Sequence, residues 1–423
     1  MRFKKHRLLS VIAAALIFLF ILILNEVYYD SSEVLIDEKW EQIIDKRQRE
    51  INESVGCHDF LQKLQGKVSV SVLLIDMDIL EIIGQNRCNQ LKMYETPIKV
   101  ATNSRKDLNF IHRNLFEPFF FESNEQKDYL EFDTKPRKII PKNFETMKFG
   151  NIAVPMKPFR FRKYWEKSRL IECSNTTMNR NEIEKKSSVF EMSRLRDLLI
   201  QYDMYPFISE RTLLVTTVSR VFFMCRLHVE PIESLRIAEF TMKFELITGW
   251  YRECSIIPHT QDIDFAIMAT EFNPKFVNDM REGRTNFKLT RRLGGLDSLE
   301  LTVTPRHGYK LNTNVFFMYR DKNETGGNEF NWISGLCGDG EKIRYNFPLF
   351  EPICSADFHD HLVWVTCDPK KAIIHEYGEK WYEDVPTNNY SRYESVNNVE
   401  RNVGRYSSWE LRKVTFEDGY EYH

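Results

Sequence analysis

Two aspartates, Asp262 and Asp264, stand one residue apart and are the side chains best suited to chemistry. Alternation from Asp262 onward predicts a β-strand with both carboxylates on one face and Ile263, Phe265 and Ile267 on the other. Cα atoms two residues apart on a strand lie about 6.6 Å from each other, so both carboxylates can converge on Mg²⁺ or Mn²⁺. An ion held there also binds nucleotide phosphates and neutralises charge during phosphoryl transfer. The pair predicts metal-dependent catalysis, although two solvated aspartates at a strand end would leave the same pattern.

The segment before this strand contains residues suited to a phosphate-bearing ligand. Gly249 allows the backbone to approach a phosphate closely, and the guanidinium of Arg252 can grip one in a fork. His259 is predicted to contact substrate, and a structural hydrogen bond is an equally good interpretation. Pro258 restricts the backbone at the entry to the strand.

The elements that must position these residues are read from local patterns. Residues 68–75 and 116–121 are predicted strands, and 190–202 is a predicted helix with a buried face. The sequence predicts both ends of a second helix: Asp368 can cap it, Pro369 suits its first position and Gly378 can end it.

Basic and aromatic residues alternate in the stretch 157–169, a mixture that elsewhere binds single-stranded nucleic acid. We interpret it as the solvated edge of a sheet, with contact to an acidic glycan or phosphate as the alternative. No nucleic-acid partner is expected. The 423 residues carry 59 Lys and Arg against 61 Asp and Glu, a net charge of −2, so no global field attracts polyanions.

The N-terminus carries an apolar run of 17 residues, 8–24, behind a basic flank. Such a run is just long enough to span about 30 Å of hydrocarbon, and the flank is expected to stay cytosolic. The sequence therefore predicts a cytoplasmic tail (1–7), a transmembrane signal anchor (8–27), a stem (28–55) and a lumenal remainder. The same pattern predicts a single-pass type II protein of the Golgi or endoplasmic reticulum membrane, with a cleavable signal peptide as the alternative.

All eight cysteines lie beyond this run, and their even number predicts disulfides. Cys354 and Cys367 flank a strand-like turn and are expected to have local partners.

A longer signature surrounds the aspartate pair. The segment GWYRECSIIPHTQDIDFAI (249–267) resembles the signature of the fukutin family, in the LicD-type branch of the nucleotidyltransferase superfamily. The resemblance continues in register through further segments over roughly the last 180 residues, namely 297–301, 314–319, 345–350, 376–381 and 397–409.

Local patterns predict a strand-rich middle domain (56–228). The resemblance implies that an α+β nucleotidyltransferase-like domain, a mixed sheet with flanking helices, follows it (229–423). It implies transfer of a phosphorylated alcohol, such as ribitol phosphate, from a CDP-activated donor to a protein-linked glycan, with partner transferases. Asp262 and Asp264 match the metal-binding pair, and Gly249, Tyr251 and Arg252 match the loop near the donor.

The sequence departs from the family pattern at three positions. Glu245 and Leu246 replace a pair of small residues, and Asn314 replaces a third acid. Asn314 is also predicted to bind substrate. Glu300 on another predicted strand is a candidate substitute for that acid. These departures favour an alternative, a catalytically silent assembly or glycan-binding factor; a D-x-D Golgi glycosyltransferase is a second alternative.

Overall fold

The computed structural model describes most of the chain after residue 56. The described residues are 57–109, 111, 114–174, 183–208, 250–252, 254–255, 262–323, 327–336, 340–383, 396–408, 410, 415–417 and 420–422. They belong to one compact unit, Glu53–His423.

Within these residues the chain forms six α-helices, three short 3₁₀ helices and nineteen strands that have definite bounds. The helices are α1 His58–Gln65, α2 Met77–Gly84, α3 Pro158–Glu166, α4 Ile183–Gln201, α5 Pro274–Arg281 and α6 Pro369–Tyr377. The first eight strands are β1 Val72–Leu74, β2 Ile98–Thr102, β3 Phe116–Ser123, β4 Tyr129–Phe132, β5 Lys138–Pro141, β6 Thr146–Phe149, β7 Ile152–Pro155 and β8 Phe207–Ile208. The remaining strands are β9 Asp262–Met268, β10 Phe287–Leu293, β11 Glu300–Pro305, β12 Asn312–Lys322, β13 Glu329–Leu336, β14 Glu341–Phe347, β15 Ile353–Phe358, β16 His361–Thr366, β17 Val399–Arg405, β18 Thr415–Glu417 and β19 Tyr420–Tyr422.

Two mixed sheets dominate the described residues, and the architecture is α+β. The first has the order β5-β4-β3-β2-β1-β7-β6, with parallel pairs β1/β7 and β2/β3. The second has the order β10-β11-β12-β13-β14-β17, and β9 joins it by pairing in parallel with β12 and antiparallel with β8.

The strand β9 separates two hydrophobic cores, as its alternating sequence predicts. Ile263, Phe265 and Ile267 pack in one core, which also holds the central residue Val315 of β12. Ala266, on the opposite face, packs in the other core against the first sheet. That opposite face also carries the aspartates. It is therefore apolar at Ala266 and polar toward the start of β9.

The basic-aromatic stretch is a helix, so its interpretation as a sheet edge was wrong. Helix α3 begins at Pro158, which supplies the favourable first position of a helix. Phe161 and Tyr164 are buried at a spacing of three, and Trp165 packs edge-on against Phe132 at 5.2 Å between ring centroids. Since aromatic rings at spacings of three and four share one helix face, they face the core, while Lys163 and Arg169 are exposed.

Helix α6 has the predicted caps. The Asp368 carboxylate accepts a hydrogen bond of 3.2 Å from the Lys371 amide, and Pro369 opens the helix. Gly378 ends it with φ of 78°, a conformation that glycine adopts without strain.

Three disulfides occur among the described residues: Cys57–Cys88, Cys173–Cys254 and Cys354–Cys367. The expectation of local partners for Cys354 and Cys367 is confirmed, because they pair with each other across β15 and β16.

None of the helices in the described part of the chain is long and apolar enough to cross a membrane. This finding contradicts the predicted N-terminal transmembrane helix and the predicted single-pass type II placement in the Golgi or endoplasmic reticulum membrane. The fold class is corrected to α+β, with no membrane-spanning helix in the described residues. The segment 8–27, on which that prediction was based, lies outside them.

Candidate functional site

The candidate site is built on the parallel pair β9 and β12. In this register Asp264 lies opposite Asn314, and Asp262 lies opposite Asn312. The Asn314 amide donates a hydrogen bond of 2.9 Å from Nδ2 to Oδ1 of Asp264. Both residues are buried, so the amide orients the carboxylate inside the protein.

Two further strands extend this pair into a row of hydrogen-bonded side chains. The hydroxyl of Thr302 on β11 donates to Oδ1 of Asn314 at 2.8 Å, and Nε of Arg291 on β10 donates to Thr302 Oγ1 at 3.2 Å. Arg291 also forms a buried ion pair with Glu300. The residues are register partners, Asp264 with Asn314, Asn314 with Thr302 and Thr302 with Arg291, so the row crosses four strands. We call these four side chains the polar row.

The row has a defined donor direction. A guanidinium has only donors, so Thr302 must accept from Arg291 and use its own proton toward Asn314. The Asn314 oxygen is thereby occupied, and its NH₂ group is directed toward Asp264. The row therefore directs a hydrogen-bond donor at the Asp264 carboxylate.

The polar face opens toward solvent at the start of the two parallel strands. Asn312 is exposed, and its Oδ1 accepts a hydrogen bond of 2.8 Å from Thr304. Two residues further along their strands, Asp264 and Asn314 are buried. A ligand would therefore approach from the end at which β9 and β12 begin.

Residues 250–252, 254 and 255 are held in place by several contacts. Trp250 is buried and donates from its indole to the Asp357 carbonyl at 2.9 Å. The Tyr251 carbonyl accepts from the Ser174 amide at 2.7 Å, and the Cys173–Cys254 disulfide joins the same two stretches. These contacts order the segment independently of the polar row.

Two predicted binding residues lie in this segment. Arg252 is buried, and the Tyr251 ring lies 5.7 Å from the Trp381 ring between centroids. Burial, together with the negative charge of Asp368, raises the pKa of Tyr251 above its usual value. Its hydroxyl therefore stays a neutral hydrogen-bond donor at physiological pH.

The structure thus brings together Asp264 and Asn314 and orders Tyr251 and Arg252. For Asp262 it gives the backbone register, while Gly249 and His259 lie outside the described residues, as do Glu245 and Leu246. The roles of all these side chains remain predictions. Glu300, the candidate substitute for a third acid, is instead bound by Arg291, which occupies its carboxylate.

Thr302 and Arg291 were missed by the sequence reasoning. The alternation of Thr302 and Thr304 in β11 was a usable signal of a polar strand face. Arg291 carried no comparable signal, because the bulge between Leu289 and Arg291 shifts the register of β10.

Among the described residues, no group of three or more His, Cys, Asp or Glu side chains is arranged to hold a metal ion. The predicted role of Asp262 and Asp264 as metal ligands therefore stays a prediction.

The fold and the site define an α+β protein with a buried carboxylate and amide on the polar face of a mixed sheet, and part of the chain is related to fukutin. It is 31% identical over 165 residues to the human ribitol-5-phosphate transferase FKTN, a match that covers 38% of this chain and 33% of that protein. The mouse ribitol-5-phosphate transferase FKTN is 30% identical over a stretch of the same length. The predicted relationship to fukutin is confirmed at this level, without the finer assignment to the LicD-type branch.

Over its greater length the chain belongs to the W02B3.4-like family. The uncharacterized protein W02B3.4 of Caenorhabditis elegans is 35% identical over 363 residues, which cover 85% of this chain and 84% of the relative. The uncharacterized protein T07A5.1 of the same organism is 32% identical over 415 residues, 96% of this chain and 97% of the relative. The model of the W02B3.4-like N-terminal domain matches residues 56–172. No solved structure matches the chain.

Proposed function

We propose that this protein transfers a phosphorylated alcohol, such as ribitol phosphate, from a CDP-activated donor to a hydroxyl group of a protein-linked glycan. The observation that carries the proposal is the buried carboxylate of Asp264, oriented by Asn314, in a chain partly related to a ribitol-5-phosphate transferase. The domain is proposed to belong to the nucleotidyltransferase type.

The residues have distinct roles in this proposal. Asp262 and Asp264 hold a divalent cation, Mg²⁺ or Mn²⁺, which supplies positive charge to the donor phosphates when bound. Arg252 and the backbone at Gly249 contact the donor phosphates, and Tyr251 donates a hydrogen bond. His259 contacts substrate from the segment before β9.

The proposed ion needs few protein ligands. Mg²⁺ commonly takes one or two protein carboxylates and completes its octahedral shell with water and substrate phosphates. In this proposal Asp264 supplies a hard oxygen ligand, and Asp262, two residues before it on β9, supplies a second. A third protein carboxylate is therefore not required, and the amide of Asn314 serves to orient Asp264.

The proposed reaction is a displacement at phosphorus. An acceptor oxygen forms a bond to the phosphorus that carries the alcohol, and the phosphoanhydride bond to CMP breaks. CMP leaves with the bonding electron pair, and the acceptor hydroxyl releases its proton. The contribution of the protein is to align the acceptor and donor and to stabilise negative charge on the phosphoryl oxygens.

A second candidate is a catalytically silent relative that binds glycan or a partner transferase. The observation that favours it is Asn314, which has no charge. Its amide oxygen accepts a hydrogen bond from Thr302, and its NH₂ group donates one to Asp264. An amide held in this way cannot act as a base.

Calorimetric titration of CDP in the presence of Mn²⁺, with a transfer assay from CDP-ribitol that measures released CMP, tests the proposal. We expect Mn²⁺-dependent CDP binding, and we expect Asp264→Asn to lower turnover by roughly 100-fold or more. The matched control is Asp133→Asn, since Asp133 forms an exposed ion pair with Arg105 and is expected to leave turnover unchanged. CDP binding absent with and without Mn²⁺ would favour the silent relative, and a preference for a UDP-sugar would indicate a glycosyltransferase.

A further inference from the structure

A cavity of about 440 Å³ lies where helix α4, the turn between β15 and β16 and the loop between β11 and β12 meet. Its lining residues are Gln126, Ser187, Phe190, Glu191, Tyr309, His359, Asp360 and His361. Cavities of this size hold a small organic ligand.

The cavity carries two exposed aromatic rings. Phe190 is 53% exposed and Tyr309 is 47% exposed, although both are large apolar groups. Exposed apolar surface concentrated at one cavity marks a binding site more often than scattered single residues do. Aromatic faces are electron-rich, so they attract the weakly positive C–H groups on one face of a pyranose ring.

The rest of the cavity lining is polar. Histidine, carboxylate, amide and hydroxyl groups offer both donors and acceptors for hydroxyl groups. Neither lysine nor arginine is among the residues that line the cavity, and the nearby Arg194 is paired with Glu191 at 2.8 Å. This lining disfavours a phosphate or nucleotide and favours an uncharged polyhydroxyl ligand.

The polar groups of the cavity are held in position before any ligand binds. His361 Nδ1 lies 2.8 Å from Asp128 Oδ2, and His359 Nε2 lies 3.0 Å from Ser255 Oγ. Asp128 is itself bound by Arg196 at 3.0 Å. Groups fixed in this way lose little conformational entropy when a ligand binds.

One residue of the cavity rim is close in the chain to the open end of the polar face. Tyr309 precedes Asn312 by three residues, and Asn312 is the register partner of Asp262. Three residues of extended chain span at most about 11 Å, so the Tyr309 backbone lies within that distance of Asn312. Ser255, which contacts His359, belongs to the segment that also contains Arg252.

We propose that this cavity is the acceptor subsite and binds an uncharged pyranose ring stacked on Phe190 and Tyr309. The inference rests on the proposed function, since it assigns the glycan acceptor to one face of the same site. The hydroxyl that attacks phosphorus belongs to this sugar, or to the next unit of the same saccharide, at the open end of β9 and β12.

Saturation-transfer NMR on the full chain tests the subsite without any transfer reaction. The probes are methyl β-D-galactopyranoside and methyl α-D-mannopyranoside, with methyl β-D-glucuronide as the charged comparison. We expect signals from the C–H protons of at least one neutral glycoside, and loss of those signals in Tyr309→Ala and in Phe190→Ala. Met156→Ala is the matched control, because Met156 is a comparably exposed apolar residue outside the cavity, 42% exposed, and its truncation is expected to preserve the signals.

The outcomes separate the subsite from the transfer reaction. Neutral-glycoside signals that are absent in the parent, or that persist in both aromatic variants, overturn the subsite. Stronger signals from the glucuronide than from either neutral sugar also overturn it. CDP affinity in the presence of Mn²⁺, measured by calorimetry, is expected to be the same in the two aromatic variants as in the parent. If the parent does not bind CDP but still gives the sugar signals, the transfer function is contradicted and the cavity remains a sugar site.

Discussion

Nδ2 of Asn314 donates a hydrogen bond to Oδ1 of Asp264 across the parallel strands β12 and β9. The two residues lie 50 positions apart in the chain. The oxygen of the same amide accepts from Thr302, which in turn accepts from Arg291. The direction of each hydrogen bond in this row is set by the preceding donor. The last donor, the Asn314 amide, orients the carboxylate on which the proposed chemistry depends.

Thr302→Val tests whether this row stabilises the fold and orients Asp264. Valine keeps the shape of threonine but removes the hydroxyl that both Asn314 and Arg291 use, so we expect a loss of about 1–3 kcal/mol in the free energy of unfolding. Thr302→Ser is the control, because it keeps the hydroxyl and is expected to retain most of that stability. Urea unfolding measures both variants, and equal losses in the two would contradict a role for the hydrogen bonds.

Asn314→Asp tests the proposed ion between β9 and β12. A second carboxylate against Asp264 repels it and removes a donor, so the variant is expected to melt at a lower temperature without metal. A divalent cation relieves that repulsion, and Mn²⁺ should therefore raise the melting temperature of the variant more than that of the parent. A variant whose melting temperature does not respond to Mn²⁺ would argue against metal binding at this pair.

Glu300→Gln tests the assignment of Glu300 as the ion-pair partner of Arg291. Both groups are buried, and breaking a buried pair by removing one charge costs about 3 kcal/mol. Turnover per folded molecule is expected to remain near that of the parent, since this carboxylate is occupied by Arg291. Glu329→Gln, which removes an exposed pair with Arg320, should change neither quantity. A catalytic acid at position 300 would show itself as lost turnover in a fully folded variant.

Asp128 gives the fold a predictable dependence on pH. Burial raises the pKa of this carboxyl, but the hydrogen bond with His361 and the charge of Arg196 outweigh it and hold the pKa below the usual value. The stabilisation is therefore complete above the unfolded pKa of about 3.9 and is lost as the pH falls through the lower folded value.

Asp128→Asn is expected to lower the free energy of unfolding by about 3 kcal/mol at pH 7, because it leaves Arg196 with one carboxylate fewer. The difference between parent and variant should shrink as the pH is lowered from 5 toward 2. Urea unfolding at several pH values measures it, and a difference that stays constant down to pH 2 would contradict the pKa assignment.

The Cys173–Cys254 disulfide is expected to position the segment that carries Tyr251 and Arg252. A Cys173→Ala/Cys254→Ala variant should lose about 2–4 kcal/mol of stability and also bind CDP more weakly. The Cys57→Ala/Cys88→Ala variant loses a disulfide in the first sheet's region and should lose stability alone. Calorimetry of both variants with CDP and Mn²⁺ distinguishes the two effects, and equal CDP affinity would mean that the segment is ordered without the disulfide.

Local patterns in the sequence were sufficient for elements whose formation depends on near neighbours. The alternation in β9 and the caps of α6 involve residues at most ten positions apart, so a short window contains their cause. The same reasoning failed for 157–169, because the helical spacing of Phe161, Tyr164 and Trp165 was hidden among basic residues that suggested an exposed edge.

The partner of Asp264 was decided only by the tertiary structure. Parallel pairing of β9 with β12 depends on how the intervening helix and strands pack, and a shift of one residue would have placed Val315 opposite Asp264 in place of Asn314. The sequence by itself determined that a strand carries two carboxylates on one face. Packing across the sheet determined that an amide, and behind it a threonine and an arginine, stands beside one of them.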